Sequence, residues 1–310
     1  MSGPVSKRDV PDEPEAAKPA TSPVLELSPS REATVGVTTV RRALPQRPRR
    51  TVGAWCFADH FGPAGPGRSM AIGPHPHIGL QTVTWLMAGE LLHRDSLGSE
   101  QLIRAGQLNL MTAGRGVAHA EEHPPSYDGA MHGVQLWVAQ PESTRHGSAA
   151  FEHHADLPQV DIGAGFATVL LGGYAGALSA ARTDTPIVGV VLELAAGSAE
   201  LPLHRAFEHA FVVTEGALHL ADRVAPPGVL AYVGQGRDNI DIRVREPTRA
   251  LLLGGEPFPD HVLMWWNFVA RTRDEVDLAT KEWNAESERF GIVPSVLERL
   301  AAPPTPWRTA

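Results

Sequence analysis

Two pairs of side chains in this sequence have the types and the spacing for metal chemistry. One is His75 and His77 in Gly73-Pro74-His75-Pro76-His77; the other is His119 and Glu121 in Ala118-His119-Ala120-Glu121. Side chains alternate between faces along a strand, so residues two apart share a face and stand about 6.6 Å apart along it. That gap suits two ligands converging on one ion in front of the strand. If the two strands face each other across a small barrel, four ligands close around one point. An isolated His-x-His among 14 histidines carries little weight. The second pair adds weight because it follows the glycine-rich turn Thr112-Ala113-Gly114-Arg115-Gly116, about forty residues on. That is enough strand-like chain to go around a barrel and return. The expected ligand set is His75, His77, His119 and Glu121.

The elements that must position these residues read as short strands. Residues 55–61, 75–77 running on into 80–87, 91–96, 101–104, 108–111 and 133–138 are strand-like, with turns at Ala88-Gly89-Glu90 and Ala105-Gly106. Short strands at this spacing, in a chain with 30 Gly and 27 Pro, predict a sandwich or barrel with the cadence of a jelly roll. Strand-like texture resumes at 166–171, 187–194, 201–220, 230–233 and 251–253. There His204 and His209 are an odd number apart and fall on opposite faces of a regular strand. No His-x-Glu follows, so a metal-free second barrel is expected. Thr272-x-x-Glu275 reads as a capping box opening a helix, with Val276, Ala279, Trp283 and Phe290 near one face and Gly291 as its stop. The apolar run Met264-Trp265-Trp266-Asn267-Phe268 is expected in the second barrel or between domains. Residues 1–30, rich in Pro, Glu, Ala and Ser, read as a disordered tail. Residues 292–310 read as a short terminal segment ending in the loose Pro303-Pro304-Thr305-Pro306-Trp307.

Composition narrows the function classes. A length of 310 residues is comfortable for two domains, and 43% hydrophobic with 20% charged residues describes an ordinary soluble globular chain. A net charge of -8 argues against direct nucleic-acid binding, which needs a basic surface. Arg41, Arg42, Arg47, Arg49 and Arg50 read as a solvated, partly ion-paired edge. Cys56 is the single cysteine; it fits a reducing cytosol and reads as a small buried hydrophobe. No apolar run approaches the roughly 18 residues of a membrane span, and the first residues lack a signal-peptide layout. The expectation is a cytoplasmic monomer with no membrane contact.

The stretches His75-Pro76-His77-x-Gly79, Met111-Thr112-Ala113-Gly114-Arg115-Gly116-x-x-His119-Ala120-Glu121 and His132-Gly133-x-Gln135-Leu136-Trp137-Val138 closely resemble the pirin family, two-domain members of the cupin superfamily. The resemblance extends more loosely over about 31 to 290. It implies an all-β chain of two tandem cupin (jelly-roll) barrels with a C-terminal helix. Residues 31–148 would be the metal-binding barrel, and 149–291 the metal-free barrel plus helix. It also assigns one metal, usually iron, to His75, His77, His119 and Glu121, in agreement with strand parity. One departure is Gln81, where cupins in general carry a glutamate. A neutral glutamine is a poor ligand, so Glu121 supplies the only carboxylate. Three histidines and one glutamate suit Fe(II) and would accept Mn, Ni, Co, Cu or Zn. Bound imidazoles need partners for their far N–H, and Asp95, Glu122 and Gln135 are the candidates. His93 and His132 read as hydrogen-bonded structural histidines, and His123 as a loop residue beside the site.

Three functions follow. The first, implied by the family, is a metal-dependent dioxygenase acting on a flavonol-like aromatic substrate, as in quercetin 2,3-dioxygenase. Glu121 or a base near it would accept the hydroxyl proton, and dioxygen would attack the activated ring. Val83, Trp85 and Met111 are candidate cavity walls. The second is a non-enzymatic, iron-redox regulator of a protein partner, with the arginine cluster as its surface. The third is another cupin chemistry, such as an isomerase or hydrolase. A deep apolar pocket at the metal favours the oxygenase; a buried metal without a channel favours the regulator.

Overall fold

A computed structural model describes residues 23–35, 38–64, 71–124, 127 and 130–307. In chain order the first half contributes β1 (Glu26–Pro29), β2 (Arg31–Val35), β3 (Thr38–Leu44), β4 (Trp55–Ala64), β5 (Ile72–His77), β6 (Leu80–Ala88), β7 (Glu90–Asp95), β8 (Glu100–Arg104), β9 (Leu108–Thr112), β10 (Val117–Glu122), β11 (Met131–Ala139) and β12 (Ala150–His154). The second half contributes β13 (Gln159–Asp161), β14 (Gly165–Tyr174), β15 (Ala177–Leu178), β16 (Ile187–Leu194), β17 (Gly197–Pro202), β18 (Glu208–Glu215), β19 (Leu218–Leu220), β20 (Arg223–Ala225), β21 (Val229–Gly234), β22 (Asn239–Val244) and β23 (Thr248–Gly255). A hairpin of β24 (Leu263–Trp265) and β25 (Phe268–Ala270) and one helix, α1 (Arg273–Asn284), follow.

The strands build two barrels of the same design. One large sheet runs β12-β9-β6-β11-β4-β3-β2 and is faced by β5-β10-β7-β8; the other runs β1-β21-β18-β23-β16-β14-β13 and is faced by β17-β22-β19-β20. Position by position the orders match, so this is a repeated antiparallel jelly roll. The large sheets pack face to face. Val83, Trp85, Leu110 and Leu136 from one meet Leu171, Val191, Val212 and Leu251 from the other in a shared core. Trp55 spans the seam. Its indole N–H donates to the carbonyls of Val188 (3.1 Å) and Gly254 (3.2 Å). Only glycine fits beneath it: a Cβ at Gly189 would stand 2.6 Å from the ring.

Each barrel takes an edge strand from outside its expected span: β1 precedes the first barrel, and β12 lies beyond the expected boundary at residue 148. β1 pairs with β21 of the second barrel, and β12 pairs with β9 of the first. The expected disordered tail over 1–30 is therefore corrected at its end: Leu25 and Leu27 pack on the second core, and the Glu26–Pro29 backbone bonds to Val229–Tyr232. Residues 1–22 lie outside the described residues.

The chain then returns to the first barrel. Trp265, Trp266 and Phe268 pack with Val276, Ala279 and Trp283 of α1 against Ile78 and Ala118 of the first barrel; of the two expected places, in the second barrel or between domains, the second barrel is excluded. Met264 and Val269 enter beside Cys56, Leu80 and Trp137. The N-cap forms as read, with the Thr272 hydroxyl accepting the Glu275 N–H at 3.3 Å. The helix stops at Asn284 rather than at Gly291, because Glu286 turns the backbone to φ 55°. Phe290 is buried all the same. Nor is the stretch from Pro303 to Trp307 loose: Thr305 is buried and the Trp307 indole N–H donates to Asp277 Oδ1 (3.1 Å). The Leu300 N–H donates to the Pro74 carbonyl (2.9 Å), and Leu300 accepts the Trp283 indole N–H (2.7 Å).

Candidate metal centre

The ligand candidates stand on β5 and β10, which pair antiparallel with His119 opposite His75. Every side chain of β5 and β10 is buried, so the imidazoles sit in a dry interior. One nitrogen from each of His75, His77 and His119 lies within 4.8 Å of the others. Glu121 lines the same cavity but stands outside this group of three, with its Oε1 3.5 Å from the Thr84 hydroxyl.

Each ring is anchored through Nδ1. His75 donates to the Gly73 carbonyl (2.9 Å) and His77 to the Asn267 carbonyl in the β24–β25 turn (3.0 Å). His119 Nδ1 faces His93 Nδ1 at 3.4 Å, and His93 Nε2 reaches Asp95 at 3.1 Å. A neutral imidazole carries one N–H, so with Nδ1 protonated each Nε2 is a lone pair. The Nε2 atoms of His77 and His119 stand 3.1 Å apart. With the proton on Nδ1 in both rings, two lone pairs face each other there, a contact that a cation relieves. Burial holds the His75 imidazole down at about 3 and His77 and His119 well below the usual histidine range, so all three stay neutral and ready to ligate. Burial pushes the Glu121 carboxyl up to about 7. Burial also acts to raise Asp95, but hydrogen bonds from His93 and the Ser99 N–H hold it below the usual carboxylate range. The residues fit a divalent ion.

The cavity in front of the triad is narrow, about 30 Å³. Its apolar walls are Val35, Val40, Phe57, Phe61, Ile72 and Trp137, and its polar wall is Asp59, Gln135 and Glu121. Val83 and Trp85 are not walls: they lie on the opposite face of β6, in the core between the barrels. Gln81 shares their parity. Its amide donates to Thr112 Oγ1 at 3.0 Å, and it does not line the cavity. The missing cupin glutamate thus leaves the cavity wall unaltered. Asp59 escaped the sequence reading, although Phe57, Asp59 and Phe61 share one face, which places a carboxylate between two phenyl rings. Arg42, expected on a solvated edge, is buried and grips Asp59 through two bonds of 2.7 and 2.6 Å. Arg49 lies over the Tyr232 ring at 3.2 Å, tying the first barrel to the second.

The remaining candidates sit elsewhere. Among the proposed imidazole partners, Asp95 reaches the triad through His93, Glu122 pairs with Arg94 (2.6 Å), and Gln135 accepts the Thr84 hydroxyl (2.9 Å). His132 faces the seam, its Nε2 2.7 Å from His60 and its Nδ1 3.1 Å from Glu215 of the second barrel. His123 stacks on Tyr127, away from the cavity lining. Burial pushes the Cys56 thiol up to about 12, leaving it inert. In the second barrel, β17 and β22 occupy the places of β5 and β10, and the buried Leu201, Ile242 and Val244 fill that interior.

Comparison with known proteins places this geometry. The pirin sequence model matches residues 37–138, and the model of the pirin C-terminal cupin domain matches 190–291. The chain belongs to the pirin family. It is 46% identical over 278 residues, 88% of each chain, to a Pseudomonas aeruginosa protein named "putative quercetin 2,3-dioxygenase". To a pirin-like protein of Caulobacter vibrioides it is 36% identical, over 83% of this pirin and 91% of that one. The crystal structure of a quercetin 2,3-dioxygenase from Acinetobacter baumannii superposes with a TM-score of 0.88 at 42% identity, covering 92% of this chain and 97% of the other. Among the described residues of this pirin, no helix is long and apolar enough to cross a membrane.

Proposed function

We propose that this pirin is an Fe(II)-dependent dioxygenase of the quercetin 2,3-dioxygenase type, with the ion held by His75, His77, His119 and Glu121. The observation that carries the metal is the convergence of one buried nitrogen from each of His75, His77 and His119 within 4.8 Å of one another. The substrate class rests on the names of the relatives above. When bound, iron supplies a Lewis acid and an electron-transfer partner for dioxygen. The chain does the rest. Glu121, buried at the cavity wall, takes the proton of a substrate hydroxyl. Thr84 donates to Gln135 Oε1 and so leaves the Gln135 amide N–H groups for a substrate oxygen. Arg42 neutralises Asp59 and keeps a second free carboxylate off the site. Phe57, Phe61 and Trp137 exclude water.

The narrowness of the cavity favours a second reading. A volume of about 30 Å³ holds a water or dioxygen, whereas pockets for drug-sized ligands start near ~300 Å³. A flavonol has to displace the wall of Val35, Val40 and Ile72. If it does not, the site is a redox-responsive centre that acts through a protein partner. Metal analysis followed by oxygen uptake with quercetin in the Fe(II)-loaded protein separates the two. Stoichiometric metal with oxygen consumed and the ring opened supports the dioxygenase. Bound metal with no uptake for any flavonol overturns it in favour of the regulator.

A further inference from the structure

We propose that His93 and Asp95 are positioning residues for the metal centre, fixing the proton on Nδ1 of His119 and so keeping its Nε2 lone pair turned to the ion. The inference rests on the metal-centre reading above. Both residues lie on β7, where Asp95 is the cross-strand neighbour of His119, and His93 that of Glu121. Asp95 is fully buried, and its orientation is set by the chain. Its Oδ1 accepts the backbone N–H of Leu97 and of Ser99, each at 2.9 Å, which leaves Oδ2 facing His93 Nε2 at 3.1 Å. A carboxylate only accepts, so His93 Nε2 carries the proton of that bond. In the neutral ring the other nitrogen is then a lone pair, and it stands 3.4 Å from His119 Nδ1. For that contact to be attractive, His119 must carry its own proton on Nδ1.

The other two imidazoles get the same instruction from backbone carbonyls, which have no alternative state. His119 alone depends on a side chain that could in principle turn or change tautomer. Both are prevented. The Asp95 contact selects the tautomer, and the His93 ring lies flat on Phe151 of β12, with centroids 4.3 Å apart and planes at 13°. β12, the edge strand next to β9, thus backs the third imidazole.

The test is Co(II) titration, by chelator competition and visible absorption, of the full chain and of His93→Phe and His93→Gln, with thermal melting of each metal-free protein. His93→Phe retains an aromatic ring to stack on Phe151 but offers no acceptor to His119. Its Co(II) affinity should fall roughly 10- to 100-fold, the usual worth of an outer partner of a metal ligand, and its absorption bands should shift. Its metal-free melting temperature should stay close to that of the parent. In His93→Gln the amide oxygen again accepts the His119 N–H, and affinity should recover most of the loss. Parental affinity and spectrum in His93→Phe would overturn the proposal, as would equal losses in both variants that track a lowered melting temperature. Should the parent chain itself bind no Co(II), the metal-centre reading fails before the positioning role is reached.

Discussion

His119 is where the chemistry of the site is most exposed to a single substitution. It opposes His75 across the β5–β10 pair and faces the His77 Nε2. His119→Ala should weaken metal binding by more than the roughly 10–100-fold expected for an outer partner, and it should leave a folded chain, since the shared core lies on the far face of the large sheet. Metal content by elemental analysis, read beside circular dichroism, checks both halves. Ile72→Ala tests the cavity wall. Removing three carbons widens a cavity of about 30 Å³, and under the dioxygenase reading kcat/KM for quercetin should rise several-fold. An unchanged or lower value would mean that this wall does not limit entry. That His75, His77, His119 and Glu121 line one cavity was legible in the sequence, because strand parity is local. The Asp59–Arg42 grip was not, because it joins residues 17 apart whose pairing is set by the register of β3 on β4.

Among the elements, β5 is the one most closely supported from outside its sheet. The terminal segment runs directly over it: a Cβ on Gly73 would stand 1.9 Å from the Glu298 carbonyl oxygen. The Gly73 carbonyl in turn accepts the His75 Nδ1–H. Gly73→Ala should therefore cost about 1–3 kcal/mol through overpacking and weaken metal binding at the same time. Denaturant midpoints and metal titration on one preparation would show whether the two losses travel together; an intact midpoint would mean that the segment yields without cost. The helix start was readable from its capping pair. Its partner surface was not, since an apolar face carries no label for the sheet it will meet.

At the scale of the whole molecule the two barrels share one core, with Trp55 seated across it. Calorimetry should find a single unfolding transition. Trp55→Ala should cost about 3–5 kcal/mol and broaden or split that transition; a single sharp transition in the variant would show that the rest of the seam suffices. Acid should also destabilise the metal-free protein. Burial holds His60 at about 3, His75 at about 3 and His209 at about 4, against an ordinary value of 6.5. Between pH 6.5 and about 3 the unfolded chain takes up protons that these folded groups refuse, so stability present above pH 6.5 is lost as the pH falls. Glu121, raised from 4.5 to about 7, works in the opposite sense, its share of stability being lost as the pH rises through about 7. One carboxyl opposes several histidines, so denaturant midpoints should decline from pH 6.5 to pH 4. Constant midpoints would show that these imidazoles are hydrated.

The sequence by itself determined the strand cadence, the shared cavity face of His75, His77, His119 and Glu121 and the helix cap, because each depends on alternation or spacing within a few residues. Tertiary structure decided what those local rules do not carry: the placing of β1 and β12 as edge strands, the return of the C-terminal segment to β5, and the His93–Asp95 backing of His119. Each of these is a pairing between distant parts of the chain. Such pairings are chosen by which edges and apolar faces remain open once the local elements exist, and no short stretch of sequence specifies that.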